Sequence, residues 1–214
     1  MEFIDEKLQA YCEAHTSPED PILAHITRET HLKVLMPRML SGNLQGKFLE
    51  MLTRFIRPKR VVEIGTYTGY SAICMARGLE GDAILHTLDI NVELETMVRG
   101  FFEKAGLSDK IDYRLGDAQE LIPALPDGID MVFIDADKEN YGRYYDLIFD
   151  KLAPGAVILA DNVLWSGKIL HEGPKKPDKD TAALIAFNRM VQEDPRVDNI
   201  LLPIRDGILV ARKK

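Results

Sequence analysis

Val61-Val62-Glu63-Ile64-Gly65-Thr66-Tyr67-Thr68-Gly69 joins a short apolar run to a glycine-bearing turn, and a helical pattern follows directly. A run of this length, with Pro58 ahead and glycines behind, reads as a buried strand feeding a βα turn. Gly65 and Gly69 permit a sharp turn and a close approach of the backbone to a ligand, with no Cβ in the way. The spacing is neither the Gly-x-Gly-x-x-Gly of a dinucleotide site nor a P-loop, which needs Gly-Lys-Ser/Thr. Glu63 puts a carboxylate at the strand end, which suits a cationic ligand better than a pyrophosphate. Taken alone, the two glycines are equally well explained as a tight turn. Asp89, ending the next strand twenty residues beyond Gly69, gives the combination its weight, because an acid there accepts bonds from both ribose hydroxyls.

Outward from this stretch, short apolar runs alternate with helical ones. The pattern predicts strands at 60–64, 83–89, 111–115, 129–135, 155–160, 197–203 and 207–212, and helices at 69–78, 91–105, 117–123, 141–152 and 179–193. Strand-helix alternation implies a mostly parallel α/β sheet covered by helices on both faces. The last two runs, separated by Pro203 to Asp206, read as an antiparallel C-terminal hairpin. Residues 1–57 look helical, with breaks at Ser17-Pro18 and near Pro37. Leu44, Phe48, Leu49, Leu52, Phe55 and Ile56 recur there at helical spacing up to Pro58. The expectation is one domain over 1–214: a helical N-terminal cover (1–57) and a cofactor-binding α/β core (58–214).

Ligands of open α/β sheets bind at the carboxyl ends of the strands. Here those ends carry Glu63 to Gly69, Asp89, Gly116-Asp117-Ala118, Asp135-Ala136-Asp137-Lys138 and Asp161-Asn162. Gly116-Asp117-Ala118 is placed to meet the edge of a base. Asp135 ends the apolar run Met131-Val-Phe-Ile134, and an acid there is costly unless partnered. Alone, Lys138 would be a solvated lysine and Asp161-Asn162 a turn pair capping a helix. Trp165 fits a core position and an aromatic wall equally well.

Composition narrows the function further. Of 214 residues, 46% are hydrophobic and 29% charged, and the net charge of −7 disfavours a phosphate backbone as partner. Gly-Pro-Lys175-Lys176-Pro reads as an exposed loop rather than a binding arm. Cys12 and Cys74 are too isolated for a zinc site or a disulfide framework, and Cys74 reads as a small buried residue. Met-Glu-Phe-Ile-Asp-Glu-Lys lacks the basic and apolar regions of a signal peptide, and no run approaches the about 18 apolar residues of a membrane span. A cytoplasmic protein with no membrane partner is expected.

Three stretches, Glu63-Ile-Gly-Thr-Tyr-Thr-Gly-Tyr-Ser71, Phe133-Ile-Asp135-Ala-Asp137-Lys138-Glu-Asn-Tyr141 and Asp161-Asn162-Val-Leu-Trp165, stand in order near the ends of three different strands. Together they resemble the metal-dependent, S-adenosylmethionine-dependent O-methyltransferases of the catechol and caffeoyl-coenzyme A type, over about residue 30 to the C-terminus. The resemblance implies a Rossmann-like class I methyltransferase fold. It also implies that Glu63 and Gly65 line the methionine part of the cofactor and that Ser71 adds a polar contact at its carboxylate end. Tyr67 in the same turn joins the cofactor-binding set. By the same resemblance Asp89 holds the ribose, Asp117 and Ala118 border the adenine, Asp137 meets the α-amino group, and Tyr144 closes that side. Asp135, Asp161 and Asn162 match the metal ligands, and Lys138 the general base. Met39-Leu-Ser41-Gly42-Asn-Leu-Gln45-Gly46 is similar to the family's segment ahead of the first strand, with either Ser41 or Gly42 in its serine position. Asp137 stands where the catechol enzyme has a tryptophan, so the pattern is nearer the caffeoyl-type and bacterial members.

Two carboxylates and an amide oxygen are hard ligands, suited to Mg²⁺ first, or Mn²⁺ or Ca²⁺, rather than zinc. A phenol has a pKa of about 10, and a cation on its oxygen favours the phenolate. The expected reaction is methyl transfer from S-adenosylmethionine to a hydroxyl of a small aromatic vicinal diol. Rival readings are a metal-independent methyltransferase acting on another small molecule or RNA, a nicotinamide-dependent oxidoreductase, and a binding module that has lost turnover. Leu32, Val34, Leu35 and Met36 are too apolar for a free arm and suggest a cover over the substrate side, a subunit interface, or both. The resemblance implies a homodimer.

Overall fold

The computed structural model describes residues 5–170 and 176–214. The expected loop at Lys175 and the opening Met-Glu-Phe-Ile lie outside them. Three helices come first: α1 (Glu6–Ala14), α2 (Pro21–Lys33) and α3 (Gly42–Ile56). Helix α2 starts where Asp20 accepts from the Ile22 amide at 2.8 Å, with Pro21 inside the first turn, where a missing N–H costs nothing. A 3-10 turn at Pro37–Met39 marks the second expected break, and α3 ends as Arg57 turns left-handed ahead of Pro58.

Alternation then runs β1 (Arg60–Ile64), α4 (Tyr70–Gly78), β2 (Ile84–Asp89), α5 (Glu95–Lys104), β3 (Ile111–Leu115), α6 (Ala118–Leu121), β4 (Ile129–Ile134), α7 (Tyr141–Phe149), β5 (Leu152–Asp161), α8 (Lys179–Glu193), β6 (Val197–Leu202) and β7 (Ile208–Lys213). The seven strands stand in the order β3-β2-β1-β4-β5-β7-β6. All neighbours are parallel except β7, which is antiparallel to both β5 and β6. The expected sheet class and terminal hairpin are both present. Strand order reverses between β1 and β4, which is where an open sheet splits its loops to leave a crevice.

Several boundaries differ from the sequence pattern. Strand β5 begins at Leu152, inside the helix predicted over 141–152, because its pairing with β4 shifts register between Ile129 and Met131 and absorbs Pro154 and Gly155. The helix expected at 91–105 opens as a 3-10 turn over Val92–Leu94, and that at 117–123 closes as one over Ile122–Ala124.

Side chains alternate across each strand and feed two cores. Val62, Ile64, Val132, Ile134, Ile158 and Ala160 pack under α7 and α8. Val61, Met131, Phe133 and Leu159 face the other way, with Leu49 of α3, Ile73 of α4 and Val98 of α5. On α3 the buried stripe is Gln45, Gly46, Leu49, Glu50 and Thr53, whereas Phe55, expected inside, is 73% exposed. Three polar residues, Gln45, Glu50 and Thr53, thus take places that an apolar face would use. Cys74 is buried and Cys12 exposed, both free. Among the described residues no helix is long and apolar enough to cross a membrane.

Candidate active site

The turn after β1 is fixed by its neighbour. Gly65 has φ of +100°, and a Cβ there would lie 2.0 Å from the carbonyl oxygen of Asp135. The close approach that this glycine permits is therefore to the end of β4. The Asp135 amide also donates to Ile64 O at 2.9 Å, so the two strand ends that flank the switch point are locked together. Gly69 (φ +80°) precedes α4, with Phe102 where its Cβ would be. Tyr67, between them, is left-handed at φ 49°. Its amide donates to Asp89 Oδ2 at 2.6 Å, and the Asn91 amide donates to Oδ1 at 2.8 Å. Each Asp89 oxygen keeps further lone pairs for a ligand.

Glu63 is fully buried and accepts from Ser71 Oγ and Thr87 Oγ1, each at 2.5 Å. Burial is the largest influence and pushes its pKa up to about 8; Asp135 and Asp89 add to this, while the two hydroxyl bonds oppose it. Further along the sheet edge, Asp137 accepts from Tyr144 Oη and Asn140 Nδ2, each at 2.5 Å. Burial and then Asp137 raise the Tyr144 phenol, which stays a donor. Asp117 accepts from the Gln119 amide at 2.8 Å and so starts α6.

Lys138 gathers the second cluster. Its Nζ, on a side chain only 9% exposed, donates to Asp135 Oδ1 at 3.1 Å, Asn162 Oδ1 at 3.1 Å and Tyr141 Oη at 2.5 Å. It is not a solvated lysine. Tyr141 Oη donates onward to Asp161 O at 3.0 Å. Asp161, 2% exposed, accepts from Gln45 Nε2 at 2.7 Å and from the Asn162 amide at 2.8 Å. Burial, then the like charge of Asp135, lifts its pKa to about 6. Arg205 donates to Gln45 Oε1 and to Ser41 O, tying the turn between β6 and β7 to α3. Trp165 fills both expected roles, packing on the core while lining the cleft.

These residues face one cleft of about 1620 Å³ over the β1–β4 switch point. Of the residues given a cofactor, metal or catalytic role from sequence, only Glu63 does not line it, standing behind Ser71, and the turn glycine Gly69 also lies outside it. Val34, Met39, Leu44 and Phe48 reach it from the N-terminal cover, and Ile204 and Arg205 from the β6–β7 turn. Sequence reasoning did not assign roles to Gln45, Tyr141, Thr87 or Arg205. Gln45 stood within a quoted segment, and Tyr141 closed a quoted motif, but nothing marked Arg205.

The oxygen donors present suit a hard divalent cation. Asp135 Oδ1 and Asn162 Oδ1 converge on the Lys138 ammonium, itself a cation, and Asp161 adds a second buried carboxylate; such oxygens fit Mg²⁺ or Ca²⁺. Among the described residues, no group of three or more His, Cys, Asp or Glu side chains is arranged to hold a metal, so the set depends on the Asn162 amide.

Sheet order and switch-point cleft are those of the Rossmann-like class I methyltransferase fold, shared with the solved structures on which the chain superposes. The chain belongs to the O-methyltransferase family, whose model matches residues 13–214. It is 33% identical to a caffeoyl-CoA O-methyltransferase of Mesembryanthemum crystallinum, covering 98% of this chain and 86% of the relative. A methyltransferase of Podospora anserina, solved with S-adenosylhomocysteine, superposes with a TM-score of 0.89 at 30% identity, over 98% of this chain and 94% of that one. An O-methyltransferase of Bacillus cereus, also in complex with S-adenosylhomocysteine, gives 0.89 at 28%, over 97% of each. The chain is an S-adenosylmethionine-dependent O-methyltransferase, which removes the oxidoreductase reading.

Proposed function

We propose that this O-methyltransferase acts on a hydroxyl of a small aromatic vicinal diol of the catechol or caffeoyl kind, assisted by a divalent cation. The observation that carries the reading is the convergence of Asp135 Oδ1 and Asn162 Oδ1 on Lys138 Nζ, each 3.1 Å away, beside Asp161. Asp135, Asp161 and Asn162 would hold the cation. When bound, it supplies positive charge that favours the ionised form of a phenolic acceptor. Mg²⁺ suits the set, with Mn²⁺ or Ca²⁺ as substitutes. Trp165 offers an aromatic face within the cleft, and Leu44, Phe48 and Met39 offer apolar contact for the acceptor ring. Lys138 receives the acceptor's proton, and Tyr141 Oη orients its Nζ. Asp89, Asp117, Asp137 and Tyr144 bind and orient the methyl donor, so that acceptor oxygen and methyl meet at contact distance.

The testing experiment is transfer from labelled S-adenosylmethionine to catechols, caffeic acid and its coenzyme A ester, with Mg²⁺ and again with chelator. Turnover that chelator abolishes, and that Asp135→Ala removes, is the expected result; activity indifferent to both would replace this reading with a metal-independent one. We further propose a homodimer formed through the N-terminal cover, where Leu8 and Tyr11 of α1 and Met51 and Phe55 of α3 are exposed. A monomeric mass in sedimentation refutes it. A small-molecule acceptor rather than nucleic acid accords with the net charge of −7.

A further inference from the structure

The Glu63 carboxyl lies one hydroxyl away from the cleft. Ser71 Oγ bonds one of its oxygens and Thr87 Oγ1 the other, and Thr87 Oγ1 meets Thr66 Oγ1 at 2.6 Å, where either hydroxyl can donate. Ser71 and Thr66 line the cleft, whereas Glu63 and Thr87 do not. A chain Thr66–Thr87–Glu63–Ser71 therefore runs behind the floor with both ends at the cleft. Hydroxyl hydrogens rotate, so the chain accommodates two states. With Ser71 and Thr87 pointing inward it holds a carboxylate; with Thr87 turned towards Thr66 it holds a carboxylic acid that donates to Thr87.

The surroundings decide between these states. The charged groups that act most on Glu63 are acids: Asp135 at the end of β4 and Asp89 at the end of β2. From α4 it faces Ser71 and the buried Cys74 thiol, which burial keeps protonated. Burial with these acids holds the carboxyl pKa at about 8, so Glu63 is an acid at neutral pH when no cation stands beside it. A unit positive charge brought into the Gly65 end of the cleft, in a site of low dielectric, acts against that balance and favours the carboxylate.

We propose that Glu63 distinguishes the methyl donor from its demethylated product by charge, ionising when a sulfonium enters the Gly65 end of the cleft and regaining a proton when the sulfur is neutral. This rests on the cofactor lying along the Gly65–Ser71 end of the cleft. The balance closes in two stages. Donor binding converts the Glu63 acid to carboxylate and releases one proton through Thr66 or Ser71 to solvent. Methyl transfer breaks the S–CH₃ bond, returns its electron pair to sulfur, forms the O–CH₃ bond and frees the acceptor proton. The sulfur is then uncharged, and Glu63 takes up one proton. Product is thereby left without the charge pair that held the donor.

The test is titration calorimetry on the whole chain, with S-adenosylmethionine and S-adenosylhomocysteine, in buffers of different ionisation enthalpy near about pH 7. The expected result is release of close to one proton per donor bound and far less for the product. Donor affinity should rise roughly tenfold per pH unit between about 6 and 8, while product affinity changes less than about twofold. Both ligands carry an α-amino group that titrates near about 8. Because that group is common to every arm, comparison with Glu63→Gln isolates the carboxyl, and the variant should lose the donor's proton release and flatten its pH dependence. Equal release with the two ligands, or release unchanged in Glu63→Gln, overturns the proposal. Ser71→Ala separates the two levels of failure. Weakened binding of both ligands with no differential release sinks the proton exchange alone; unchanged binding with no release sinks the cofactor placement as well.

Discussion

Gln45 Nε2 donates a 2.7 Å hydrogen bond to Asp161 Oδ2, joining α3 to the end of β5 across 116 positions of sequence. The other end of the same amide accepts from Arg205, so one neutral side chain orients a buried carboxylate and is itself oriented by a cation. An amide suits this place because a second acid would add to the repulsion that Asp135 already exerts on Asp161.

Gln45→Leu removes the donor and leaves Asp161 Oδ2 without its bond. Partners that orient metal ligands are typically worth about tenfold to a hundredfold in affinity or activity. With Asp161 in its proposed place beside a cation, the expected outcome is a Mg²⁺ dissociation constant weakened by that factor in calorimetry, with S-adenosylmethionine affinity in the absence of metal unchanged.

Gly65→Ala should fail at the level of the fold. Its Cβ would meet the Asp135 carbonyl at 2.0 Å, and φ of +100° is itself unfavourable for alanine. A loss of at least about 3 kcal/mol in urea unfolding is expected. A variant within about 0.5 kcal/mol of the parent, the size of an ordinary surface change, would show that the β1 and β4 ends are not locked.

Without cofactor, Glu63 makes stability depend on pH. Its folded pKa of about 8 lies above the ordinary 4.5, so the folded chain holds the proton more tightly than the unfolded one. The contribution is complete below about 4.5 and is lost as pH rises to about 8. At about 1.4 kcal/mol per unit, the change spans a few kcal/mol. In thermal melts across that window, Glu63→Gln should show a smaller fall than the parent. Parallel curves would contradict the shift.

Tyr141→Phe removes the hydroxyl that Lys138 Nζ meets at 2.5 Å and that donates to Asp161 O. The ring is fully buried and stays packed against Phe187, so the cost should be about 1–3 kcal/mol of stability. A fall in kcat with an unchanged KM for S-adenosylmethionine is expected, and steady-state kinetics read the split. An equal rise in KM would move Tyr141 to the cofactor side.

Much of this was legible in the chain because buried parallel strands are apolar on both faces. Val61–Ile64 and Met131–Ile134 stand out for that reason, and the polar residues that follow them mark the cleft. The start of β5 was hidden because Pro154 and Gly155 look like a loop, while in space they occupy a bulge. Phe55 was misplaced because α3 buries Gln45 and Glu50 on the face where apolar spacing would put it. Arg205 carried no local signal at all. Its partners Ser41 and Gln45 are 164 and 160 positions away, and only the return of the β6–β7 turn over α3 brings them together.

The antiparallel β7 lies between β5 and β6, so β6 has no bond to the rest of the sheet except through it. During synthesis, β5 remains an unpaired edge until residues 208–213 emerge, and β6 waits beside it with nothing to join. Sheet closure is thus a late event in the life of each molecule. The turn that carries Arg205 to Gln45 reaches its place only with that closure, so a chain stalled or clipped before Ile208 would expose the β5 edge to other chains and leave Gln45 without the cation that orients it.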